Sequence, residues 1–113
     1  MIEKRAEVRQ LCSDLIQVRV DGDEPRELIA NLEDISPSGA CLQFEQSMAR
    51  DARVTLRLGH HKFRGRIRYC ILTELGYFAG VQFDTGRKWS RELYEPKHLL
   101  DPTKLPTRKR RLC

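Results

Sequence analysis

The sequence predicts a mainly β, antiparallel fold of six short strands, and three observations predict it. Apolar and polar residues alternate in brief runs along most of the chain. Clusters of Gly, Pro, Asp and Ser separate those runs. The 113 residues leave room for one domain and one hydrophobic core. Strands at such spacing, joined by polar turns, form a closed barrel or a sandwich.

The elements follow in order. Ile16 to Val20 alternates cleanly and stops at Asp21-Gly22-Asp23-Glu24-Pro25, a run that reverses the chain. Leu28 to Ile35 is the second strand, broken by Ser36-Pro37-Ser38-Gly39. Ala40 to Phe44 places Ala40, Leu42 and Phe44 on one face. Val54, Leu56 and Leu58 make a fourth strand up to Gly59, and the adjacent His60 and His61 fall in the turn after it. Phe63 to Leu72 carries Arg64, Arg66 and Arg68 on one face, with Gly65, Ile67 and Tyr69 on the other; the arginines form a solvated face, from which one or two can reach a bound anion. Glu74-Leu75-Gly76 is a hairpin turn, and Tyr77 to Asp84 is the last strand. Beyond Gly86 the period changes: Trp89, Leu93 and Tyr94 fit one side of a short helix that caps the strands, with Ser90 as its N-cap and Pro96 as its end. Trp89 reads as core. The chain divides into an arm at 1–10, a folded unit at 11–101 and a basic, mobile tail at 102–113.

Composition narrows the function. With 40% hydrophobic and 33% charged residues the chain is globular rather than disordered. No apolar run approaches the roughly 20 residues of a membrane helix, and the charged N-terminus has no signal-peptide core, so the expected location is the cytoplasm, with no membrane insertion. The net charge is +5, but residues 1–102 hold 16 Lys+Arg and 16 Asp+Glu, so the excess lies wholly in the tail. A surface that grips nucleic acid carries its basic patch on the folded domain, and an exposed aromatic row is also lacking; nucleic acid is therefore not the expected partner. Cys12, Cys41, Cys70 and Cys113 lie far apart and no histidine completes a metal spacing, so no metal site is expected. Cys12, Cys41 and Cys70 fall in apolar stretches, where a thiol behaves as a small hydrophobe.

Two features suggest recognition rather than reaction, since neither pairs a nucleophile with a base. One is Arg5 and Arg9, four apart on the arm; the other is Asp34-x-Ser36-x-x-Gly39 between two strands. Arginine's planar fork matches phosphate oxygens and the O6 and N7 acceptors of guanine, and its plane stacks on a purine. Aspartate accepts from the N–H donors of guanine's opposite edge. Ser36 adds a hydroxyl for the ligand or the turn. Gly39 permits positive φ and a close ligand approach. Taken singly, the arginines read as solvated arm residues, and Asp34 and Ser36 as turn formers.

Together, Arg5-Ala6-Glu7-Val8-Arg9 and Asp34-Ile35-Ser36-Pro37-Ser38-Gly39 resemble the PilZ domain family, with its Arg-x-x-x-Arg arm and (Asp/Asn)-x-Ser-x-x-Gly turn; Gly80-Val81-Gln82-Phe83 resembles the family's last strand. The resemblance covers roughly residues 4–100 and implies a six-stranded antiparallel β-barrel with a short C-terminal helix and a flexible N-terminal arm. It implies a cyclic di-GMP receptor, not an enzyme, with no catalytic residue and no cofactor beyond that ligand. Lys4, Arg5, Arg9, Asp34, Ser36, Ser38, Gly39 and Gly80 would form the ligand site. Lys4 precedes the motif where the family places a residue that influences stoichiometry, and a basic residue there leans toward an intercalated ligand dimer. The implied action is a regulatory module whose arm orders on ligand binding and signals to a downstream protein partner. The alternative is a protein–protein adaptor with weak or no nucleotide binding.

Overall fold

The computed structural model describes residues 7–100. Six strands, β1 (Gln10–Val20), β2 (Arg26–Ser36), β3 (Gly39–Phe44), β4 (Arg53–Leu58), β5 (His61–Thr73) and β6 (Gly76–Phe83), form a closed barrel in the order β1-β2-β3-β6-β5-β4. Every neighbouring pair is antiparallel. Closure removes the alternative of a sandwich. The interior is filled from each strand by the apolar half of its alternation: Val18, Leu32, Ile35, Leu42, Phe44, Leu56, Leu58, Phe63, Ile67 and Ala79 are buried.

Three irregularities interrupt the ladders. They lie between Leu11 and Asp14 on β1, between Leu32 and Asp34 on β2, and between Ile67 and Tyr69 on β5. A bulge adds one residue to one strand, so everything beyond it changes face. Leu32 and Ile35 both point inward, which turns Asp34 and Ser36 outward. On β5 the same step corrects the expected arrangement: Tyr69 does not share the inner face with Ile67. Arg68 is the extra residue, and Tyr69 pairs with Gly80 on the outside while Cys70 packs inward.

The segment after β6 also differs from expectation. Among the described residues there is no helix. Ser90 does cap a single turn, accepting from the Leu93 amide at its hydroxyl (3.4 Å) and from the amides of Leu93 and Tyr94 at its carbonyl (3.0 and 3.3 Å). One turn then stops, because Tyr94 and Lys97 are drawn to the barrel instead. The Tyr94 hydroxyl and the Lys97 amide (3.1 Å) both donate to Asp14, a buried carboxylate on β1. Trp89 is buried in the core as expected, its indole donating to the Tyr94 carbonyl at 2.8 Å, while Leu93 stays exposed. The segment thus closes one barrel end through polar anchoring as well as apolar packing.

Candidate ligand-binding site

The site begins at the β2–β3 hairpin. Ser36 and Gly39 pair across a two-residue loop of Pro37 and Ser38, and proline presets the backbone angle such a loop needs. The loop is fastened from outside: the Phe83 amide donates to the Ser38 carbonyl (2.8 Å), and the Trp89 amide to the Pro37 carbonyl (2.9 Å). Inside the turn the Ser36 hydroxyl donates to the Gly39 carbonyl (3.4 Å). Gly39 has a different reason to be glycine from the one expected. Its φ is not positive; instead a β-carbon would lie 2.5 Å from the Val81 carbonyl oxygen of the neighbouring strand. Close approach of β3 to β6 sets the residue.

Asp34, turned outward by the β2 bulge, is nonetheless only 2% exposed. Arg9 reaches it from the arm, Nη1 to Oδ2 at 3.9 Å, with half of the arginine side chain still open to solvent. Tyr69 stands beside both. Its hydroxyl is held protonated above the ordinary tyrosine range by burial first; the Asp34 charge adds to this, while the Arg9 charge and hydrogen bond oppose it. Gly80 lies opposite Tyr69, and a β-carbon there would run into the tyrosine ring. The ring therefore rests on the bare backbone of β6. Arg68, the bulged residue, hydrogen-bonds Gln82 at the rim.

These groups enclose a cavity of about 280 Å³ lined by Arg9, Asp34, Ser36, Ser38, Gly39 and Tyr69, with Gly80 in its wall. That is near the lower end of small-molecule sites, which start at about 300 Å³. Two larger depressions, of about 450 and 520 Å³, offer less chemistry. In the first, Arg19 and Arg64 pair with Asp21 and Glu27, and Arg57 and Lys62 add two further cations, but no aromatic ring or turn joins them. The second has acidic and amide groups around Leu15 and Ile29 but no cation.

The structure thus brings Arg9, Asp34, Ser36, Ser38, Gly39 and Gly80 to one cavity. Lys4 and Arg5 lie outside the described residues, as does the tail. Arg68 is one of the three β5 arginines expected to include an anion contact, whereas Tyr69 and Glu7 have no signal in the sequence reading. The strand parity that hid Tyr69 is the parity the bulge breaks. Glu7 was visible only as a charged residue between two arginines, yet its Oε1 accepts from the Ser38 amide (3.0 Å) and hydroxyl (2.6 Å), while Oε2 faces Lys88 Nζ at 3.7 Å. The hydrogen bond from the Ser38 side chain, above all, lowers its pKa; the Ser38 amide and Lys88 add to this, while partial burial opposes them. Among the described residues no cluster of His, Cys, Asp or Glu could hold a metal ion, and no helix is long and apolar enough to cross a membrane.

A family model described as the PilZ domain matches residues 3–94. The chain belongs to the PilZ domain family. Solved structures agree on the fold. The K. pneumonia MrkH–c-di-GMP complex superimposes with a TM-score of 0.60 at 17% identity, over 77% of this chain and 47% of that one. The PilZ domain of YcgR from Escherichia coli with c-di-GMP gives 0.56 at 12% identity, over 74% and 79%. The Bacillus subtilis inhibitor of motility MotI/DgrA gives 0.52 at 16% identity, over 74% and 44%. This PilZ chain spans about half the length of MrkH and of MotI/DgrA. No curated protein matches it.

Proposed function

We propose that this PilZ chain is a cyclic di-GMP-binding regulatory module. Family and fold support a cyclic di-GMP-related regulatory role. The observation that carries the binding reading is the convergence of Arg9 from the arm and Asp34 from β2 on one cavity, beside the Ser36–Gly39 turn. Arg9 supplies the donor fork for phosphate or for guanine O6 and N7; Asp34 supplies the acceptor for the opposite guanine edge. Tyr69, laid on Gly80, offers a flat aromatic surface against which a base can stack. Ligand binding draws the arm, including Lys4 and Arg5, onto the barrel, and a protein partner reads the altered surface. The basic Lys4 favours two intercalated ligand molecules, whose four phosphates it helps to neutralise.

Calorimetric titration tests this. Cyclic di-GMP should give saturable heat with the wild type at two ligands per chain. Arg9→Ala and Asp34→Ala should each weaken binding about tenfold to a hundredfold, the range for losing a charged hydrogen-bonding partner. Unchanged affinity in both variants would reject the site, and a one-to-one stoichiometry would reject the role of Lys4. Amide exchange over residues 2–9 tests the arm: equal protection with and without ligand is the result that counts against ordering.

A further inference from the structure

Among all the contacts around the cavity, the one at Ser38 has the chemistry of an anion site that is already filled. The Ser38 amide and hydroxyl converge on one oxygen of Glu7, and the Lys88 ammonium approaches the other. The amide is held in place before any ligand arrives, because the carbonyls on either side of it are tied to Phe83 and Trp89. Lys88 is placed by its neighbour Trp89, which is buried in the core. Two hydrogen-bond donors on a fixed turn and a cation on the far side suit a phosphoryl group as well as a carboxylate. Ser38 also lines the cavity that holds Arg9 and Asp34, so an anion bound there would belong to the same ligand. Glu7 sits two residues before Arg9. Its carboxylate and a ligand phosphate cannot occupy Ser38 together.

We propose that Ser38 and Lys88 form a phosphate subsite of this domain, which Glu7 fills in the ligand-free protein and which a phosphoryl oxygen of the ligand takes over. The inference rests on the cyclic di-GMP reading for the identity of the ligand, though not for the chemistry of the subsite. It makes Glu7 a competitor of the ligand, even though the glutamate lies on the arm that carries Arg9. On binding, the carboxylate is expelled to solvent and the arm pivots, with Arg9 retained and Glu7 released.

Competition and simple positioning predict opposite signs. Glu7→Gln weakens the hold on Ser38 and Lys88 without shortening the side chain. It should bind cyclic di-GMP about three- to tenfold tighter than wild type, the scale of an exposed charged contact. Adding Lys88→Gln to Glu7→Gln should lose that gain. A Glu7→Gln protein that binds equally or more weakly overturns the proposal and makes Glu7 a positioning residue. A second probe separates this from failure of the functional reading. Inorganic pyrophosphate, followed at the Ser38 amide by NMR, should shift that resonance more in Glu7→Gln than in wild type. If the wild type gives no heat with cyclic di-GMP, the functional reading falls, and the pyrophosphate response alone decides the subsite: a larger shift in Glu7→Gln upholds it, and no difference sinks it.

Discussion

At the scale of single residues, the site depends on side chains whose neighbours fix them from outside the motif. Gly80 is the plainest case. Any side chain there displaces the Tyr69 ring, so Gly80→Ala should cost about 1–3 kcal/mol of stability by overpacking. It should also weaken ligand binding, measured by calorimetry, beyond what Tyr69→Phe does. Tyr69→Ala should cost about 1–3 kcal/mol of binding, the worth of one base stacked on an aromatic ring. Glu7 makes a pH-dependent contact. Its pKa in the folded protein lies below the ordinary glutamate value of 4.5, so the contact is fully present above that value and is lost as pH falls through the lowered one. Exchange of the Ser38 amide, followed from neutral to acid pH, should show protection lost only at the acid end. Asp14 behaves differently, because it is buried and serves the fold. Tyr94→Phe removes a donor to that carboxylate and should lower stability by about 1–3 kcal/mol in thermal or denaturant unfolding.

At the scale of strands, the parity of β1, β2 and β5 explains what could and could not be read from the chain. Strands with unbroken alternation, such as Val54-Thr55-Leu56-Arg57-Leu58, match their burial residue by residue. The start of β1 was missed because the inward position at Asp14 carries a carboxylate while Leu15, the apolar neighbour, faces solvent. Periodicity sees only the polarity of a residue, whereas Asp14 is kept inside by partners that lie eighty residues along the chain. Asp34 was found by its motif and not by its pattern, since alternation alone would have placed it in the core with Leu32. Tyr69 had no motif to rescue it. The expected helix after β6 failed for a related reason: Trp89 and Tyr94 have helical spacing, but polar contacts to β1 hold the chain after one turn. The bulge on β5 can be tested directly. Deleting Arg68 restores plain alternation and leaves Tyr69 outside opposite Gly80 and Cys70 inside. The deleted chain should therefore keep its fold and still give saturable ligand heat in calorimetry, as Arg68→Ala should; loss of heat in the deletion alone would show that the bulge itself shapes the cavity.

At the scale of the molecule, the barrel is closed by pairings between distant parts of the chain. Val20 faces Val54 where β1 meets β4, and Gly39 faces Gln82 where β3 meets β6. Chain entropy is spent before such contacts form, so folding is expected in the range of milliseconds to seconds; stopped-flow fluorescence of the buried Trp89 should report it. Each of the six strands has a neighbour on both sides, although Arg26–Ala30 of β2 pairs with β1 alone. A closed ring offers another protein little backbone edge to extend, so strand addition has only that short stretch of β2 to use. Under the proposed function, a partner would read chiefly side chains, and those a ligand would move are Glu7 and Arg9 beside the bulged strands. Near-complete closure would then confine the message to one small patch and leave most of the barrel mute.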